Sequence, residues 1–213
     1  MSIDTAELDA SLKSELPLIE VGIYTPFEPL QEPGARLLLT AQGLMLESCN
    51  GVFHAITPLG TYTSTVRLPY GKVTAGVTTL DKEAATQLYA HARDFLAVAA
   101  KHAPLETIML VVKAPGRPMR CIHPALNETN ASLDYQDWVH MEEGEHVILD
   151  IHSHGAFEAF FSSTDNEDDG RFRGHLKTSC VIGHADQSSP LQVQRWVSRG
   201  HIFSETTPAA VGI

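Results

Sequence analysis

The residues of this 213-residue chain whose types and spacing could do chemistry are two histidines, a serine and an aspartate: His152, His154, Ser162 and Asp165. They lie in one string, HSHGAFEAFFSSTD, with a single residue between the histidines and two between the serine and the aspartate. On a strand the side-chain period of two turns both imidazoles to the same face, within reach of one ion. Two imidazoles and a carboxylate leave a fourth tetrahedral position for water, which is the ligand count of a catalytic zinc and not of a closed structural one. Zinc held this way makes water acidic enough to act as a nucleophile near neutral pH, provided that a general base manages the proton.

The elements around these residues must hold them in place. HVILDIHSHG is apolar and β-branched, so the histidines fall at the end of a buried strand. SSTDNEDDGRFR reads as a helix start, and Ser162 with Asp165 also has the spacing of a capping box. Upstream, DKEAATQLYAHARDFLAVAAKH carries an apolar stripe of Ala84, Leu88, Ala92, Leu96 and Ala99 or Ala100, and predicts a long helix that begins at Asp81 and stops before Pro104. ETIMLVVKA follows as a central strand, and TSCVIGH and LQVQRWVSR as two more, separated by a turn over 186–190. The stretch from about Ala114 to Glu145 is a loop-rich insertion.

Nearer the N-terminus, the first dozen residues read as a short amphipathic or frayed start, and LPLIEVGIYTPFEPL as an extended segment broken by prolines. RLLLT and LMLES flank the turn Ala41-Gln42-Gly43 as a hairpin, and GVFHAITPL and STVRLPY could extend the same small sheet. Lys72 to Thr79 is a short β-type run. These readings divide the chain into a β-rich extension, residues 1–71, and a main domain, residues 72–213, of mixed α/β (α+β) class.

Bulk properties narrow the partners. A composition of 43% hydrophobic and 19% charged residues is that of an ordinary globular protein. The formal charge of −11 argues against a large phosphate-binding surface, hence against nucleic acid. No apolar run approaches the about 20 residues that cross a bilayer, and the acidic N-terminus has no export signal. Cys49, Cys121 and Cys180 form no close pair, which fits a reducing cytoplasm.

The histidine pair and the Ser-x-x-Asp resemble the signature of the JAMM (MPN or JAB domain) zinc metalloproteases over roughly residues 72 to 205. The resemblance implies the MPN fold, a mixed curved sheet flanked by a long helix and a shorter one. It implies zinc on His152, His154 and Asp165, and an oxyanion-stabilising role for Ser162. It also implies a glutamate after the long helix, at the place of Glu106, which would take a proton from the water and return it to the leaving amine. Glycine stands at position 155, where most members have proline, and without that φ restraint the turn leaving the histidines is expected to be looser. The longer string HSHGAFEAFFSSTDNEDD is similar to the plasmid-associated PRTRC system A proteins. These sit in cassettes with a ThiF/E1-like protein and a small ubiquitin-like protein, which implies a processing or deconjugating isopeptidase acting on the latter.

Other residues have plainer readings. Glu167, Asp168 and Asp169 suit the first turn of a helix, whose dipole favours acidic side chains. Glu142, Glu143 and Glu145 compete with Glu106 as the base, from a turn just before the histidine strand. His140, His146, His175 and His184 have no ligand spacing and read as surface or structural. Two other function classes stay open: a metal-free or inactive MPN scaffold that binds partners, and a zinc hydrolase acting on a small amide or nucleotide.

Overall fold

A computed structural model describes residues 5–62, 67–123 and 141–211. The chain divides into two compact units, Met1–Leu80 and Asp81–Ile213.

The first unit is built on the expected hairpin. Helix α1 (Thr5–Glu15) and strand β1 (Leu18–Glu20) precede β2 (Gly34–Thr40), β3 (Gly43–Cys49), β4 (Phe53–Thr61) and β5 (Gly76–Thr79). The Thr40 hydroxyl closes the hairpin turn, accepting from the backbone N–H groups of Gln42 and Gly43 at 3.0 and 3.2 Å. The five strands form one sheet in sequence order, with β1 parallel to β2 and every other pair antiparallel. Val21, Leu38, Met45, Ile56 and Val73 make its core. The fully buried Glu47 accepts from Arg36, from the Leu30 backbone N–H at 2.8 Å, and pairs with His54 Nε2 at 2.8 Å. The β-type run expected over Lys72 to Thr79 is a strand only at its end. STVRLPY adds no strand among its described residues, 67–70, and the rest of that expectation lies outside the described residues.

The second unit opens with the long helix. In α2 (Lys82–His102), Asp81 is the N-cap, accepting from the Ala84 backbone N–H at 2.9 Å. The buried stripe runs through Ala84, Leu88, Ala92 and Ala99 as expected, but Phe95 and not Leu96 fills the place between the last two. A period of 3.6 residues moves the stripe by one position over that length. There follow β6 (Thr107–Lys113), β7 (Arg120–Ile122), β8 (His146–Ser153), α3 (Ser163–Arg171), β9 (Lys177–Gly183), β10 (Leu191–Ser198), β11 (His201–Phe203) and β12 (Ala209–Ala210). These strands form a seven-stranded sheet in the order β11-β10-β9-β8-β6-β7, with β12 beside β10. The β8–β9 pair is parallel and the others are antiparallel. Helix α2 packs on β6 and β8. The architecture is the mixed α+β class expected from the sequence, with few helices and two mixed sheets.

Candidate metal centre

Strand β8 is buried along nearly its whole length because it lies inside the sheet, antiparallel to β6 and parallel to β9. Its even-numbered residues put Asp150 and His152 on one face, and His154 continues that face one step past the strand. His154 is still held by the neighbouring ladder, its backbone N–H donating to Ile182 O at 2.9 Å. The chain then turns at Gly155, which has φ +57° and is buried. A Cβ there would lie 2.1 Å from the Pro104 carbonyl oxygen, so no other residue fits without displacing backbone. The expected looser turn is not what the fold builds. The Gly155 carbonyl accepts from Ala185 N–H at 2.8 Å, Phe157 O accepts from His184 N–H at 2.7 Å, and His184 Nδ1 lies 3.1 Å from Ala156 O. Glycine gives up proline's φ restraint and permits this close packing instead.

These turns bring the three candidate ligands together. His152 Nε2 lies 3.3 Å from His154 Nε2 and 3.2 Å from Asp165 Oδ1, and His154 Nε2 lies 3.8 Å from Asp165 Oδ2. Two bonds of 2.0–2.1 Å at a tetrahedral angle would put ligand atoms about 3.3–3.4 Å apart. The two separations from His152 match that edge and the third is longer, so the three side chains form a group that could hold one small ion. Both histidines are buried and the Asp165 side chain is 18% exposed, so the ligands face a recess and not bulk water. Burial opposes charge on His152, but the hydrogen bond and charge of Asp165, helped by Asp150 and Glu106, raise its pKa. Burial and the neighbouring His152 lower that of His154. Burial also works against the Asp165 carboxylate, yet His152 and Ser162 hold it well below the usual range.

Ser162 is the N-cap of α3, and the capping box is complete. Its backbone N–H and its hydroxyl both donate to Asp165 Oδ2, at 2.6 and 2.7 Å, while its Oγ accepts from the Asp165 N–H at 3.2 Å. The cap and the proposed ligand are one arrangement, because the hydrogen bonds that start the helix also orient the carboxylate. Glu106 sits just before β6, exposed, and together with His152, His154, Ser162 and Asp165 it lines a cavity of about 270 Å3. The competing glutamates are occupied elsewhere: Glu142 pairs with Arg117 at 3.1 Å, and Glu145 with Arg120. Glu143 is exposed and not part of the cavity wall. His146 and His175 also lie outside the cavity wall, and His140 is outside the described residues.

The acidic run in α3 needs one correction. Glu167 and Asp168 are exposed and pair with Arg171, as surface helix residues do. Asp169 is buried and pairs with Lys177 and Arg195, and all three acidic residues lie past the first turn of α3, whose acidic residue is Asp165. Sequence reading passed over its partner Arg195 and also Asp150, which shares Lys177 with it, although both left a signal. Asp150 interrupts the apolar run VILDI two residues before His152, on the same face. Arg195 stands between the buried Val193 and Val197 in a strand of alternating pattern, where an outward charge is excluded.

Residues 89–198 match the family described as prokaryotic homologs of the JAB domain. Residues 6–81 match a domain of unknown function, DUF2016. The search of the curated proteins found no match. Among solved structures, the chain is similar to the solution structure of protein DSY2949 from Desulfitobacterium hafniense. The likeness has 16% sequence identity and a TM-score of 0.41, and covers 55% of this chain and 86% of that one.

Proposed function

The chain belongs to the family of prokaryotic homologs of the JAB domain, and from that premise we propose that it is a zinc-dependent peptidase or isopeptidase of the JAMM type. The observation that carries this reading is the approach of His152 Nε2 to His154 Nε2 at 3.3 Å and to Asp165 Oδ1 at 3.2 Å, two edges of one small coordination shell, with His154 Nε2 3.8 Å from Asp165 Oδ2. Zinc there would supply Lewis acidity and lower the pKa of water toward about 7. The chain's own residues do the rest. Glu106, on the cavity wall, takes the proton of the attacking water and returns it to the leaving amine. Ser162 has two donors on Asp165; its backbone N–H keeps the carboxylate oriented while its hydroxyl turns to the oxyanion of the substrate carbonyl.

The substrate in this reading is the C-terminal tail of a small ubiquitin-like protein, processed or deconjugated in a plasmid PRTRC cassette that also holds a ThiF/E1-like protein. Support for it comes from the string HSHGAFEAFFSSTDNEDD. The test is incubation of the zinc-loaded chain with the cassette's ubiquitin-like protein carrying a C-terminal extension, followed by mass measurement. The expected result is loss of the extension. The Glu106→Gln variant should keep the metal and cleave about 100-fold to 10,000-fold more slowly. An unchanged mass with the zinc-loaded wild type would overturn the substrate assignment, and full activity in Glu106→Gln would overturn that of the base.

A further inference from the structure

Below the metal centre, four charged side chains from four elements form one buried chain of ion pairs. Arg195 on β10 is 1% exposed, and all three of its guanidinium nitrogens reach helix α3. Nη2 donates to the Asp165 carbonyl oxygen at 3.0 Å, Nη1 to Asn166 Oδ1 at 2.6 Å and Nε to Asp169 Oδ2 at 2.8 Å. Nη1 also lies 3.4 Å from Glu205 Oε2. The guanidinium plane lies over Phe161, 3.7 Å from the ring centroid, just before the N-cap. The other oxygen of Asp169 takes Lys177 Nζ at 2.7 Å and the Ser179 hydroxyl at 2.8 Å. Lys177 in turn donates to Asp150 Oδ2 at 3.1 Å, and Asp150 Oδ1 lies 4.0 Å from His152 Nδ1.

The path therefore runs from the backbone of one ligand, Asp165, to the strand that carries another, His152. Hydrophobic residues of similar volume in place of a buried ion chain often leave stability unchanged or improve it, so burial alone does not account for this one. What a charged fork adds is direction: Arg fixes several acceptors in one plane, which neither Met nor Lys can do. We infer that Arg195 is a positioning residue for the metal centre, setting the place of Asp165 against His152 and His154 through the first turns of α3. The inference rests on the metal reading proposed above.

The test uses the full chain, with zinc affinity measured by competition against a chromophoric chelator and the visible spectrum of the cobalt-substituted protein as a second readout. Arg195→Met should weaken zinc binding about 10-fold to 100-fold, the range for partners that orient metal ligands. It should also alter the cobalt bands, while the metal-free protein keeps its circular dichroism but melts at a lower temperature, because the buried Asp169 loses one of its two cations. Arg195→Lys, which restores the charge but not the fork, should recover affinity only in part. If Arg195→Met fails to fold, Arg195→Lys and Asn166→Ala decide, each expected to weaken zinc binding in a folded protein. Wild-type affinity and an unchanged cobalt spectrum in the folded variants would overturn the inference. Failure of the wild-type chain to bind zinc would overturn the metal reading, and the inference with it.

Discussion

Gly155 shows most sharply how one residue governs the candidate site. Its φ of +57° and the Pro104 carbonyl against its missing Cβ leave no room for a side chain. Gly155→Ala should cost about 2 kcal/mol or more, combining left-handed strain with a backbone clash. Gly155→Pro, which would make the motif more like that of most JAMM members, cannot reach this φ at all and should do more harm. Thermal melting and metal content check both variants; a Gly155→Pro protein with the wild-type values would contradict this account of the turn. The ligands themselves were legible in the sequence because the period of a strand acts on adjacent residues. His152 and His154 needed only that period, whereas Asp165 needed its distance from them as well, because its spacing from Ser162 alone reads as a helix cap. The consequence of glycine at 155 was not legible, since it depends on Pro104, brought there by a separate strand. Asp150 and Arg195 fall between: each stands where its strand places buried residues, a signal that sequence reading passed over, and the pairs that join them run through Lys177 on β9 and Asp169 on α3.

Helix α3 begins where chemistry and folding coincide, and the two roles of Ser162 can be separated. Ser162→Ala should lose about 1 kcal/mol of stability with the cap, whereas Ser162→Gly should lose only a few tenths. If the hydroxyl also serves the oxyanion, both variants should lose about 100-fold or more in kcat, whatever their stability. Equal loss of stability and activity across the pair would reduce Ser162 to a cap. In the first unit, β3 and β4 carry a different test. Burial pushes the Glu47 pKa up, but His54, Arg36 and the Leu30 N–H together bring it below its ordinary 4.5. A depressed carboxyl pKa confers stability above the unfolded value and loses it as pH falls through the folded one. Denaturant melts of the first unit should therefore weaken below about pH 4.5, and Glu47→Gln should flatten that acid limb. An acid limb unchanged by Glu47→Gln would place the sensitive group elsewhere. Elements with a long internal period, α2, β6, β8 and the hairpin of β2 and β3, were legible. Strands β11 and β12 were not, because segments of three and two residues carry no period and exist only through pairing with β10.

Across the whole molecule, a ligand that binds only the folded state should stabilise the unit that holds it. Zinc at 100 times its dissociation constant should add about 2.7 kcal/mol by mass action. Hydrogen exchange read by mass spectrometry should show the gain around β8 and α3. No added protection there would mean that the ion is held elsewhere. The described residues contain no helix long and apolar enough to cross a membrane. The central claim is that His152, His154 and Asp165 hold a metal ion, and elemental analysis of the full chain purified under zinc-replete conditions tests it most directly. Wild-type protein should carry about one zinc per chain, and Asp165→Ala and His152→Ala should carry none while keeping the wild-type far-ultraviolet circular dichroism. Metal-free wild-type protein, or variants that keep the wild-type zinc content, would contradict it.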